Sequence, residues 1–191
     1  MLECVIFACS PRPGGNTDLA AQILTEHLEI KDRQWMLVQL RDYDILPCTA
    51  CGECEKTGRC VLSGRDQAAE LFFLLQQAKR VVFFSPIYFY HVPAQLKIFI
   101  DRAQAYYWQP QGKSTPVSLQ KPAWLGLWGA RKQGEKLFLG AELSLRFFLR
   151  VFGFELQPPL TFYGVDRAGE ILAVADHLEK LQMLGKNLCL V

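Results

Sequence analysis

Short apolar runs alternate along this chain with longer segments whose apolar positions recur at helical spacing. ECVIFAC (3–9), QWMLVQL (34–40) and RVVFFS (80–85) predict buried strands, and PAWLGLW (122–128) and FELQPPLTF (154–162) predict weaker ones. Helical spacing covers 17–28, 66–78, 93–105, 135–152 and 170–186, and Pro93 suits a helix start. Strands alternating with helices predict an α/β fold, a doubly wound parallel sheet covered on both faces. Pro158 and Pro159 withhold ladder donors from the fifth strand and predict an edge position or a bulge. No linker interrupts the pattern, so residues 1–191 are expected to form one domain, with a cysteine-rich loop at 47–66.

Composition narrows the possibilities. Half of the 191 residues are hydrophobic and the formal net charge is only +2, which suits a globular chain and gives no electrostatic reason to expect nucleic acid. Apolar runs such as VVFF fall far short of the roughly 20 residues that a membrane span needs. The first residues, MLECVIFACSP, lack a basic leader and read as a strand, so a cytoplasmic location is expected. In a reducing compartment, closely spaced cysteines point to metal or redox chemistry before structural disulfides.

In open sheets of this kind, ligands bind beyond the carboxyl ends of the strands. The loop after strand one, ACSPRPGGNTDL (8–19), has the parts of an anion cradle. Asn16 or Thr17 can cap the next helix, Ser10 adds a hydroxyl, Arg12 a charge, and Gly14-Gly15 a close turn. It has neither the lysine of a Walker loop nor a G-x-G-x-x-G pattern, which leaves a single terminal phosphate, as on a mononucleotide. Cys9 reads as a small apolar residue at a strand end. After strand three, Tyr88, Phe89 and Tyr90 between two prolines make a stiff aromatic wall suited to a flat heteroaromatic ring. His91 reads as structural, and Lys97, Asp101 and Arg102 as a helix surface. No side chain stands out as a catalytic acid, base or nucleophile.

SPRPGGNT (10–17), SPIYFYHVPAQLKIFIDR (85–102) and the strand pattern together resemble the flavodoxin-like NAD(P)H-dependent FMN reductase family. The resemblance covers most of the chain and implies a five-stranded sheet of order 2-1-3-4-5 that binds FMN, with NAD(P)H as an electron donor. It implies that Ser10, Arg12, Asn16 and Thr17 hold the FMN phosphate and that Pro86, Ile87, Tyr88 and Phe89 line the isoalloxazine. A third contact falls on LWGARKQGEK (127–136), where Gly129 and Ala130 match the family's small residues while Trp128 and Arg131 are bulky. A homodimer or homotetramer is also implied.

Four of the seven cysteines, Cys48, Cys51, Cys54 and Cys60, stand in LPCTACGECEKTGRC (46–60). C-x2-C-x2-C opens like a ferredoxin run around a [4Fe-4S] cluster, and Gly58 supplies a turn before the fourth thiol. Zinc and a metal-free, redox-switching loop are the alternatives, zinc sites more often pairing two knuckles across a longer loop. The spacing is similar to the compact cysteine motif of the iron–sulfur flavoproteins, a branch of the same family in which the loop after strand two binds the cluster. Relatives often carry two acidic residues soon after the last cysteine; only Asp66 stands here. Neighbouring strands lie about 4.8 Å apart, so this loop and the flavin are expected at the same end of the sheet. Such a chain would be an FMN-dependent oxidoreductase passing electrons between FMN and a cluster. Alternatives are a cluster-free FMN, quinone or nitroaromatic reductase, an electron carrier without turnover, and a zinc-stabilised flavin module. Cys4 and Cys189 read as packing residues, and 105–116 as an excursion after the third helix.

Overall fold

A computed structural model describes residues 2–28, 34–108 and 121–188. Cys189 and most of the 105–116 excursion lie outside the described residues. The strands are β1 (Leu2–Ala8), β2 (Trp35–Gln39), β3 (Ala78–Pro86), β4 (Lys121–Gly129), β5 (Phe154–Leu156) and β6 (Leu160–Tyr163). Every pairing is parallel, and the order is β2-β1-β3-β4-β5, with β6 also on β4. The sheet is therefore flavodoxin-like, as the family resemblance implies.

The expected fifth strand is two pieces. Lys121–Ala123 pair with β5, Gly126–Gly129 pair with β6, and Pro158-Pro159 lie between. Neither proline has an N–H to donate, so the ladder breaks there and resumes one step along.

The helices are α1 (Asn16–Glu26), α2 (Glu53–Thr57), α3 (Ala68–Gln77), α4 (Ala94–Arg102), α5 (Gln104–Tyr107), α6 (Leu139–Arg150) and α7 (Ala175–Asn187). Three helical segments depart furthest from the periodicity. Residues 93–105 divide into α4 and α5, 170–186 into a 3-10 turn and α7, and α6 starts only at Leu139. Along β1, Val5 and Phe7 point into one core with Leu71, Leu96, Phe99 and Leu145, from α3, α4 and α6. Cys4, Ile6 and Ala8 point into the other, with Ala20, Leu24, Leu181 and Leu184 from α1 and α7. That alternation, repeated on β3, buries both faces and explains why the central strands are apolar without a break.

Stacked rings fasten the first core: Phe7 lies on Phe83 at 4.5 Å between centroids, and Phe72 on Phe99 at 4.6 Å. Each fully buried phenylalanine contributes about 1.5–3 kcal/mol through area removed from water. On the other face, a Cβ at Gly126 would stand 2.5 Å from the Phe84 ring, so only glycine leaves room for that ring against β4. Among the described residues, no helix is long and apolar enough to cross a membrane.

Candidate functional site

The carboxyl ends of β1, β3 and β4 surround a small cavity of about 140 Å³. Ser10, Arg12, Asn16 and Thr17 line it from the first loop, and Pro86, Ile87 and Tyr88 from the third. Trp128, Gly129 and Ala130 close it from β4, with Val165 and Asp166 beyond. The volume is below the roughly 300–1,000 Å³ of a pocket that swallows a whole ligand. It suits one end of a molecule, with the remainder lying outside.

The helix start is built differently from the expectation. Gly15 is the N-cap residue of α1 and supplies no side-chain cap. Instead the Asp18 carboxylate accepts the Gly14 N–H at 2.7 Å, and Arg41 grips the same carboxylate at 2.9 and 3.0 Å. Arg41 thus offsets the one acidic group of the first turn and keeps the helix end favourable to an anion. Ser10 Oγ accepts the Arg12 N–H at 3.1 Å, while the Arg12 guanidinium is exposed and reaches the Asp166 carbonyl at 3.4 Å.

Asn16 and Thr17 divide the work expected of them. Both ends of the Asn16 side chain have a partner, Nδ2 donating to the Arg167 carbonyl at 2.8 Å and Oδ1 accepting the Ile171 N–H at 3.2 Å. The side chain thus ties α1 to the 166–171 segment, and the backbone N–H, at the first helical position, has no intrahelical partner. Thr17 is only 1% exposed and its hydroxyl has no partner. An orphaned buried hydroxyl costs about 1–3 kcal/mol, and a bound anion would satisfy it.

The aromatic stretch forms a two-residue turn. Tyr88 N–H donates to the His91 carbonyl at 2.8 Å, and His91 N–H returns to Tyr88 at 3.0 Å. Between them Phe89 and Tyr90 adopt φ of 50° and 64°. Two left-handed residues match the type I′ hairpin turn, usually built from Asn-Gly. Tyr88 lines the cavity; Phe89 does not, and projects fully into solvent at 102% exposure. Arg131 lies over the Tyr90 ring at 5.4 Å from its centroid. His91 is structural, with Nε2 2.8 Å from Ser144 Oγ, and burial together with Lys97 holds its imidazole below the ordinary histidine range.

The cysteines occupy a second cavity. After β2, residues 40–46 run along α4, fastened by Gln95 Nε2 to the Leu40 carbonyl and Arg102 Nη1 to the Leu46 carbonyl, both at 2.8 Å. Ala50 (φ 51°) and Gly52 (φ 73°) then turn the chain in the left-handed region, and Gly58 (φ 71°) closes α2. These reversals bring Cys48, Cys51, Cys54 and Cys60 to one cavity of about 440 Å³, walled by Asp101, Gln104 and Trp108. All four are free thiols. Burial, with the neighbouring Cys60, Cys48 and Cys51, pushes the Cys54 thiol up. Among the described residues, no three His, Cys, Asp or Glu side chains already form a group able to hold a metal ion.

The two cavities have no lining residue in common. The first is bordered by the residues just before α4 and the second by Asp101, Gln104 and Trp108 at its far end. Asp101 stands seven residues along α4 from its first residue, Ala94, about 10 Å at 1.5 Å per residue. The cysteine loop and the first cavity therefore do not sit together at one end of the sheet, because the chain leaving β2 descends along α4 before it turns.

Arg102 also departs from the sequence expectation. It is 3% exposed and paired with Asp66. Burial raises the Asp66 carboxyl, but hydrogen bonds from Arg102, Leu46 N–H and Ala68 N–H outweigh it and hold the group below the usual carboxylate range. Nothing in the helical pattern of 93–105 marks Arg102 as the inward residue. The single acidic residue after Cys60 was the available signal.

The sequence pattern of the NADPH-dependent FMN reductase family matches residues 2–150. An iron–sulfur flavoprotein of Methanocaldococcus jannaschii is 32% identical over 103 residues, 54% of this chain and 52% of that protein. One from Archaeoglobus fulgidus is 36% identical over 109 residues, 57% of this chain and 49% of that protein. The chain thus matches about half the length of these curated relatives. Among solved structures, an FMN-dependent NADH-azoreductase from Bacillus anthracis, in complex with FMN, superposes with a TM-score of 0.74 at 13% identity, over 98% of this chain and 99% of that one. An NADH:FMN oxidoreductase in its apo form gives 0.65 at 20% identity, over 100% and 89%. These two show the fold. The match over residues 2–150 shows more: the chain belongs to the NADPH-dependent FMN reductase family.

Proposed function

We propose that this chain is an FMN-dependent oxidoreductase that takes electrons from NAD(P)H and holds a [4Fe-4S] cluster on Cys48, Cys51, Cys54 and Cys60. The observation that carries the flavin half is the orphaned Thr17 hydroxyl, buried beside a helix N-terminus in a cavity at the carboxyl ends of three strands. The FMN phosphate would take the Thr17 hydroxyl, the Ser10 hydroxyl and the first-turn N–H groups of α1, with Arg12 covering it from the solvent side. Pro86, Ile87 and Tyr88 would border the isoalloxazine on one side, and Gly129 and Ala130 on the other, with Trp128 as the floor. Bound FMN supplies the ability to exchange a hydride or single electrons; the chain orients it and shields its phosphate.

For the cluster half, support comes from four free thiols around one cavity, at ferredoxin-like spacing, and from relatives named as iron–sulfur flavoproteins. A cluster-free reductase is the second reading, favoured by the lack of a ready-made metal-ligand group among the described residues. Either protein is expected to work in the cytoplasm and as a homo-oligomer. Leu139, Leu143 and Phe147, spaced four apart on α6 and 54%, 52% and 58% exposed, would suit a second copy.

An anaerobic preparation assayed for FMN, iron, sulfide and zinc per chain distinguishes these readings. One FMN with four iron and four sulfide is the expected result. FMN with little iron selects the cluster-free reductase, zinc without sulfide selects a zinc loop, and a chain that stays colourless after FMN is added removes the flavin reading. Cys51→Ser should abolish the broad iron–sulfur absorbance and spare the flavin bands; unchanged iron content would rule out these ligands.

A further inference from the structure

Beneath the cysteine loop, α4 ends in a buried arginine. Arg102 Nη1 donates to the Leu46 carbonyl at 2.8 Å and to the Asp66 carboxylate, and Nη2 lies 3.4 Å from the other carboxylate oxygen. Asp66 in turn accepts the Leu46 N–H at 2.9 Å and the Ala68 N–H at 3.2 Å. Leu46 precedes Cys48 and Asp66 follows Cys60, so one ion pair fastens both ends of the loop to each other and to the helix. The Nε of Arg102 has no partner.

The same guanidinium lies beside the fourth thiol. Arg102 and Cys60 border one cavity of about 430 Å³ with Phe72 and Tyr106. As a fastening alone, the pair gains little from its charge: desolvating two ions offsets most of their attraction, and a well-packed apolar pair often does as well. Beside a thiolate centre the charge has a use. A buried cation close to a thiolate stabilises negative charge there, and the low dielectric strengthens the effect.

We propose that Arg102, held by Asp66, is a positioning residue that clamps the cysteine loop and sets a fixed positive charge beside Cys60, raising the reduction potential of the group the loop binds. This rests on the cluster reading of the four cysteines. Reduction adds one electron to the bound group, and the fixed positive charge favours that more negative form.

The test compares the wild-type chain with Arg102→Gln, Arg102→Lys and Asp66→Asn. Each is nicked with trypsin without iron, at the exposed Lys56 and Arg59, and each is reconstituted with ferrous iron and sulfide for a redox titration of the iron centre. Arg102→Gln should be nicked at least fivefold faster. Its one-electron equilibrium should move about tenfold toward the oxidised form, which is about 59 mV lower in potential. Arg102→Lys should recover more than half of that shift while still being nicked faster. Asp66→Asn removes the anion and leaves the cation, so its potential should rise; it also carries the test if Arg102→Gln does not fold. Wild-type nicking and potential in Arg102→Gln would overturn the proposal. A fall as large in Arg102→Lys, or a fall in Asp66→Asn, would leave a structural clamp and overturn the tuning role. A wild-type chain that takes up no iron sinks the cluster reading and the tuning with it, a result distinct from unchanged nicking, which sinks the clamp.

Discussion

Asn16 and Ile171 are joined across 155 positions of chain: the Asn16 Oδ1 accepts the Ile171 N–H at 3.2 Å in a buried setting. The first helix is thereby tied to the segment that supplies Val165 and Asp166 to the small cavity. Asn16→Ala would strand that N–H, at about 1–3 kcal/mol for a buried group left unsatisfied, while the Arg167 carbonyl keeps the Glu170 N–H at 3.2 Å. Urea unfolding should show a loss in this range, with weaker FMN binding following from the displaced segment.

Thr17→Val is expected to do the reverse to stability. It deletes a buried hydroxyl that has no partner, so the flavin-free chain should be as stable as the wild type or gain up to about 1–3 kcal/mol. FMN binding should weaken about tenfold, equivalent to about 1.4 kcal/mol. Calorimetry of FMN binding beside urea unfolding separates the two effects; undiminished FMN affinity would free Thr17 of any phosphate role.

Asp66→Ala strips a carboxylate whose side chain is 1% exposed from a guanidinium that is 2% exposed. Leaving one buried ion unpaired costs about 3–5 kcal/mol, a large share of a typical domain's stability. Chemical denaturation of the variant should show a loss of that order. A loss below 1 kcal/mol would mean that water reaches the pair.

The same carboxylate sets a pH dependence. Its folded pKa lies below the unfolded value, about 3.9 for aspartate. The unfolded chain therefore takes up the proton first, and the stabilisation is complete above about pH 4 and is lost as the pH falls through the folded pKa. Urea midpoints measured from pH 6 downward should fall more gently in Asp66→Asn than in the wild type over that acid range. Parallel curves would assign the acid limb to other groups.

Phe89 is held at φ 50° with its ring in solvent. A left-handed backbone costs an ordinary residue about 1–2 kcal/mol, and asparagine tolerates it better. Phe89→Asn should stabilise the monomeric chain by about 1 kcal/mol; a loss of FMN affinity beyond twofold would place the ring against the part of the flavin that lies outside the cavity. A drop in stability that depends on protein concentration would instead place Phe89 against a second copy.

Local pattern announces some of these features and conceals others. The apolar runs of β1 and β3 declare a sheet buried on both faces, and Pro158-Pro159 foretell a broken edge. The phosphate-like loop and the cysteine spacing are visible because their residues are adjacent in sequence. Arg102 and Asp66 stand 36 positions apart, and within their own segments each looks like a solvated charge. Asn16 looks like a phosphate ligand until its partners 151 and 155 positions away are known. Phe89 sits in an aromatic run that promises a ring-stacking wall. The sign of its backbone dihedral, which points it outward, follows from the turn back to His91 and leaves no mark in residue type when glycine is absent.

The broken edge strand bears on what this side of the sheet can touch. Three residues of β5 and four of β6 present only short rows of outward N–H and C=O groups, separated by two prolines that carry no N–H at all. A foreign strand aligned there would find no continuous ladder to extend. Along this border the fold is closed to growth by backbone pairing, and any contact made there must be chosen by side chains.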